Sequence, residues 1–196
     1  MLVELTKGVA LLLALSLLQS FIRRYWRRDE LLGQVASGIL FGSICIVGML
    51  APIEFAPGII FDARSVILSM SGLFGGPVVG GVAAAIAGGY RYSLGGGGAN
   101  IGVAVVIACV SLGLLYRFAN HKNWIKIGFI QLLAFGFIVH LFVLFLFMQL
   151  PPDVVQKIMN DIAVPFVLVF SPAVAFLGLL LLDINNRLDT EAALVD

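Results

Sequence analysis

The chain has 196 residues, of which 61% are hydrophobic and 12% charged, with a formal net charge of +1 at pH 7 and a mean hydropathy of +1.08. Soluble domains are nearer half apolar and about one quarter charged, so this composition excludes a water-soluble globule and places the chain in a bilayer. The balance of 12 Lys and Arg against 11 Asp and Glu leaves no broad basic surface for a phosphate backbone, and nucleic acid is not expected as a partner. Cys45 and Cys109 both sit inside apolar runs, as small buried hydrophobes rather than a disulfide or metal framework.

A membrane span needs about 20 apolar residues, and the sequence offers such runs at roughly 4–22, 33–51, 101–118, 126–149 and 163–183. The first is a retained span rather than a signal peptide, because Glu4 and Lys7 give no basic leader and the arginines 23, 24, 27 and 28 follow the apolar run. Between the second and third spans, residues 64–91 are apolar but broken by Gly75-Gly76-Pro77. Paired glycines weaken a helix and proline removes a donor, so the segment divides into pieces of about 65–74 and 78–91. At the helical rise the first piece is only ~15 Å long, too short for a core of ~30 Å.

The charges arbitrate between one crossing and a segment that enters and returns. A single crossing divides Lys and Arg six to six, which is no bias. A re-entrant pair places eight inside (Arg23, Arg24, Arg27, Arg28, Arg117, Lys122, Lys126, Arg187) against four outside (Lys7, Arg64, Arg91, Lys157), as the positive-inside rule prefers. The expected architecture is therefore an all-α membrane protein with five full spans and a broken, re-entrant pair at about 64–91. Its N-terminus is outside, its C-terminus cytoplasmic, and Gly75 to Pro77 face the bundle interior.

Glycine is concentrated in this region, with 12 of the 22 lying between Gly72 and Gly102. Spacings such as Gly72, Gly76, Gly80 read as helix packing. The run Gly95 to Gly98, followed by Asn100 and an apolar helix, reads either as a mobile loop or as a helix start suited to an anion. Arg64 and Arg91 bracket the broken segment; each alone can snorkel to headgroups, but as a pair they present forked donors for a carboxylate or phosphate. Tyr90 beside Arg91 is first an interfacial residue whose hydroxyl can also reach a ligand. Glu54 and Asp62 are the alternative partners of the arginines. The candidate ligand site is thus Arg64, Arg91, Gly75, Gly76, Pro77, Tyr90 and Asn100.

His140 lies mid-span with no acidic or second histidine nearby in sequence, and is read as an interhelical hydrogen-bonding residue. The short loop around Pro151-Pro152 carries Asp153 and Asp161, the latter a helix-start charge for the last span. No nucleophile and base arrangement or metal-ligand spacing occurs, so neither an enzyme nor a cofactor is expected. After the last span Leu181, Ile184, Leu188, Ala192 and Val195 recur at spacings of three and four, as on an amphipathic helix. The expected division is a transmembrane domain at 1–183 and, from 184, the start of a cytoplasmic signalling helix that leads to an output domain outside this sequence.

The ordered set Phe61-Asp62-Ala63-Arg64-Ser65-Val66, Gly72-Leu73-Phe74-Gly75-Gly76-Pro77, Tyr90-Arg91, Gly95 to Gly98 and Gly113-Leu114-Leu115-Tyr116-Arg117 resembles the LytS-YhcK type of five-transmembrane sensor domain over roughly residues 35–182. The resemblance implies a multi-pass receptor of the bacterial inner membrane, feeding a histidine kinase or diguanylate cyclase. It also implies an extracellular or periplasmic ligand of the small-carboxylate class, read by Arg64, Arg91 and the Gly75 to Pro77 break. A homodimer through the C-terminal helix is expected. The alternative is a substrate-binding subunit of a vitamin transporter, since a Gly-Pro break between glycine-rich helices suits that class as well.

Overall fold

The computed structural model describes residues 2–26, 30–50, 53–56, 59–61 and 63–193. Five helical stretches among them are long and apolar enough to cross a bilayer: Leu31–Leu50, Arg64–Ser93, Ala99–His121, Phe129–Phe147 and Ala163–Leu188. The helix α1 (Leu2–Tyr25) matches the first span read from the sequence and is not among these five. Arg64–Ser93 takes its place, yet 30 residues of straight helix would be ~45 Å long, well beyond a hydrocarbon core, and the segment is not straight.

It consists of α3 (Arg64–Met70), a π-helical turn (Ser71–Gly75) and α4 (Gly76–Ser93). Gly76 has φ +83° and ψ −168°, a conformation that L side chains rarely adopt. Past it the chain doubles back, because a Cβ at Gly80 would stand 3.4 Å from the Cα of Gly72; eight residues apart on one straight helix they would be ~12 Å apart. Pro77 starts α4 where its missing N–H costs nothing. The break expected at Gly75 to Pro77 is thus a reversal centred on Gly76, and the two arms run 64–75 and 76–93.

The partners of each arm follow from close approaches at glycine. In α2 (Leu31–Leu50) a Cβ at Gly38 would meet Val82 at 2.6 Å and one at Gly42 would meet Ile86 at 2.7 Å, so α2 and α4 run parallel. In α5 (Ala99–His121) the sequence positions run the other way: Gly80 faces Val110, Gly88 faces Val106 and Gly102 faces Arg91. Gly113 of α5 lies directly on the Ser69 carbonyl of α3. Helix α6 (Phe129–Phe147) and helix α8 (Ala163–Ala193) pair antiparallel through Gly136 on Ser171 and Gly178 on Leu132. Met70 of α3 reaches that pair, with Sδ 3.4 Å from the Cβ position of Gly178. Lipid supplies no hydrophobic drive between helices, so these backbone approaches, available only where a side chain is missing, hold the bundle.

The hairpin is the interior. Every side chain from Ala63 to Leu73 is buried, and 67% of the most apolar window of Arg64–Ser93 is buried against 39–44% in the other four stretches. Its base, carrying Arg64 and Arg91, lies with the end of α2 and the start of α5. Its tip at Gly75-Gly76 lies with the end of α1, the start of α2 and the end of α5.

Three features depart from the sequence reading. Among the described residues the fold is helical except for turns and a small antiparallel ribbon, β1 (Ile53–Ala56) and β2 (Ile59–Phe61), pairing Ile53 with Phe61. The expected loop around Pro151-Pro152 is a helix, α7 (Pro152–Asp161), with Ile158 buried; the apolar pairs Val154-Val155 and Ile158-Met159, four residues apart, share one helical face and let so short a segment lie along the bundle end. Asp161 closes that helix rather than opening the next. Helix α8 runs 31 residues without interruption despite Pro172, about 46 Å at the helical rise, so it outruns the hydrocarbon core. Ile184 and Leu188 continue its half-buried face; Val195 lies outside the described residues.

Replacing Gly113 with Val forces α5 off the Ser69 carbonyl and is expected to lower the melting temperature in detergent sharply, by the 1–3 kcal/mol or so of an overpacked core. Gly81→Ala, where a Cβ meets nothing within 4 Å, is expected to leave the melting temperature unchanged or raise it. Equal melting of both variants would remove the close-approach account.

Candidate functional site

At the base of the hairpin the two arginines are among the most enclosed polar side chains of the molecule. Arg64 is 6% exposed and Arg91 is 2% exposed. Arg64 opens α3 and its Nη1 donates to Met49 Sδ at 3.1 Å. Arg91 sits in the last turn of α4 and its Nη1 donates to the Gly95 carbonyl at 3.0 Å. Neither guanidinium is without further partners. Asp62 lies outside the described residues, and so does the side chain of Glu54.

The glycine loop is built around Arg91. Gly95 and Gly96 have φ +64° and +83°, which ends α4 within two residues and turns the Gly95 carbonyl back toward the guanidinium. Gly102, one turn into α5, is where the aliphatic part of Arg91 rests: a Cβ there would lie 2.5 Å from Nε and 2.9 Å from Cγ. The loop is therefore tightly curved, and Gly102 is a site residue that sequence reading credits only to helix packing. Tyr90 is half-buried, while Asn100 is exposed and makes no cap at the start of α5, whose N-cap is Gly98.

A second polar link joins the base to the other helices. His140 is fully buried on α6, with Nδ1 2.7 Å from the Gly136 carbonyl and Nε2 3.0 Å from Ser65 Oγ. A carbonyl only accepts, so Nδ1 carries the proton and Nε2 of the neutral ring accepts from the Ser65 hydroxyl. The ring stands edge-on to Phe166 at 5.0 Å and stacks near Phe170 at 5.8 Å. His140 is thus an interhelical hydrogen-bonding residue, bonded to Ser65, the sequence neighbour of Arg64, and in contact with α8 through two phenylalanines.

The remaining predicted residues lie elsewhere. Gly75, Gly76 and Pro77 are at the tip, eleven or more residues beyond Arg64, about 16 Å along the arm at the helical rise. The seven candidates therefore do not form one cluster: Arg64, Arg91, Tyr90 and Asn100 belong to the base, and the glycines and proline to the tip. What meets the tip is Arg117 of α5, a residue outside the seven candidates. Its Nη1 donates to the Leu73 carbonyl at 3.0 Å and the Phe74 carbonyl at 3.1 Å, and a Cβ at Gly76 would lie 3.3 Å from its Nε.

These features describe a multi-pass membrane domain with a buried cationic site at one end of a central helical hairpin. The sequence model of a family described as 5TMR of 5TMR-LYT matches residues 12–184, and the chain belongs to this family of LytS-YhcK-type five-transmembrane receptor domains. The match begins within α1, earlier than the resemblance at 35–182. Membership gives the domain a transmembrane sensory role. No curated protein and no solved structure matches the chain.

Gly102→Val is expected to displace the Arg91 side chain and release the Gly95 carbonyl. Amide exchange over residues 95–99 should then quicken markedly while that of α6 stays slow; unchanged protection of the loop would show that Arg91 does not hold it.

Proposed function

We propose that the domain binds a small carboxylate at the base of the hairpin, with Arg64 and Arg91 supplying the charge, and passes the event to α8. The observation that carries this reading is the burial of two guanidiniums at the same end of one hairpin, on arms that reverse at Gly76. Cations at such depth are costly and mark functional sites. The thioether of Met49 is a weak acceptor, so a carboxylate oxygen at Arg64 gains a charge-assisted bond in its place.

The orientation rests on the distribution of charge. Arg23, Arg24, Arg117, Lys122, Lys126 and Arg187 stand at the tip end, against Arg64, Arg91 and Lys157 at the base end. The positive-inside rule then makes the tip cytoplasmic and the hairpin re-entrant from the outer face. The N-terminus is outside, and α8 leaves on the cytoplasmic side as the start of a signalling helix that pairs with a second copy. Movement of α3 reaches α8 by the Ser65, His140 and Phe166 chain and by Met70 on Gly178. A ligand shifts such a pair of packings only by its differential affinity for them.

The test is thermal unfolding in detergent with pyruvate, lactate and acetate as probes. A bound ligand at a hundredfold excess over its dissociation constant is expected to stabilise by about 2.7 kcal/mol, and Arg64→Ala and Arg91→Ala to lose that shift while still inserting. Undiminished shifts in both variants would overturn the arginine site. Cysteines at positions 100 and 121 are expected to label from outside and inside respectively; the opposite pattern would overturn the orientation.

A further inference from the structure

The tip end holds a cleft that the proposed outer site does not use. It opens between the end of α1, the start of α2 and the lower part of α8, with Phe74 and Gly75 of the hairpin tip as its floor. Its polar lining is Gln19, Arg23, Gln34, Ser37 and Asn185, with no carboxylate among the described residues that line it. Gln19 is 8% exposed; its Nε2 donates to Ser37 Oγ at 3.1 Å, and its Oε1 is buried with no hydrogen-bond partner. Exchanging the amide nitrogen and oxygen leaves the other arm without a partner instead, so the side chain offers one unmet hydrogen-bonding group in either orientation. A buried polar atom of this kind costs about 1–3 kcal/mol, which a ligand recovers on binding. Apolar surface from Ile22, Trp26, Phe41 and Leu181 completes the walls.

We propose that this cleft binds the headgroup of an anionic glycerophospholipid. Arg23 has other partners, but its Nε is buried without one and takes a phosphate oxygen; the amides take hydroxyl or ester oxygens, and the walls take an apolar portion. A basic, amide-rich pocket between spans at the membrane surface has this chemistry, and Trp26 stands where an interfacial aromatic belongs. The position gives the lipid a role. It touches α8 at Leu181 and Asn185 and the hairpin floor at once, so its occupancy ties the tip to the helix that leaves the bundle. The proposal does not depend on a ligand at Arg64 and Arg91.

The test uses delipidated protein in maltoside detergent, followed by native mass spectrometry and thermal unfolding. Phosphatidylglycerol is expected to be retained and to raise the melting temperature, phosphatidylcholine to do neither, and free glycerol 1-phosphate to have no effect. Gln19→Glu replaces the amide donor to Ser37 by an oxygen that accepts from the Ser37 hydroxyl and sets a carboxylate against the phosphate, and Asn185→Leu removes an amide with no other hydrogen bond at stake in the packing of the hairpin. Each is expected to weaken phosphatidylglycerol retention about tenfold or more, the second serving if the first does not fold. Equal effects of the two phospholipids, or unaltered retention in Asn185→Leu, would overturn the proposal; stabilisation by glycerol 1-phosphate alone would replace the lipid with a soluble phosphate ester. Pyruvate shifts that persist in both variants would keep the outer site distinct from this one.

Discussion

A chain that reverses inside a bilayer must find partners for the backbone groups its helix leaves behind, and here Arg117 supplies them. A helix ends with unsatisfied carbonyls, and in hydrocarbon each costs several kcal/mol. At the hairpin tip the amide of Gly76 donates to the Gly72 carbonyl, and the Arg117 guanidinium takes those of Leu73 and Phe74. Its charge also sits at the negative end of the α3 helix dipole. Gly76 is required twice over, once for its positive φ and once because a side chain would press on the guanidinium. Without this cap, neither the depth of the tip nor the side on which Arg91 emerges is defined.

The reversal gives the molecule two polar ends joined by a dry middle. At the base, Arg64 and Arg91 stand where the hairpin begins and finishes; at the tip, Arg117 caps the reversal and Gln19 lines the cleft between α1, the start of α2 and α8. Between them the arms are packed by glycines against backbone, with Gly72 and Gly113 allowing α3 and α5 to approach closely. Ser69 and Ser71 return their hydroxyls to the Val66 and Leu68 carbonyls of their own helix, so they add no polar demand to the interior. Ser65 is the exception, and its proton goes to His140.

Much of this was legible in the residues. The apolar runs located the long helices, Gly75-Gly76-Pro77 located the break, and the isolation of His140 identified an interhelical bond. The rest was hidden because the relevant partner is distant in sequence. Nothing local marks Arg117 as a cap 43 residues from the Phe74 carbonyl, or Gly102 as the surface on which Arg91 lies. Length and hydropathy likewise take 64–93 as one span, since neither senses a positive φ. Grouping the Gly-Gly-Pro break with the arginines followed from placing all irregular backbone near a ligand, whereas the arms are long enough to carry that break to the other end of the bundle. The helix at 152–161 was missed because paired prolines suggest a loop, although Pro152 at a first helical turn is compatible with a helix.

The packing also decides what kind of motion the domain can transmit. Close-packed interiors shift between discrete arrangements rather than bending continuously, and α3, buried on all sides and in contact with the Gly113 backbone, cannot rotate without lifting α5. The compliant direction is along its axis, where the serine and methionine contacts to α6 and α8 are side chain to side chain. A displacement of Arg64 in that direction moves Ser65 against His140 at one level of α8 and Met70 against Gly178 at another. These two levels lie on opposite sides of Pro172, where the helix lacks one backbone donor and is easiest to bend. In the signalling proposed for this domain, a small axial shift of the hairpin is the motion that changes the angle at which the last helix leaves the bundle.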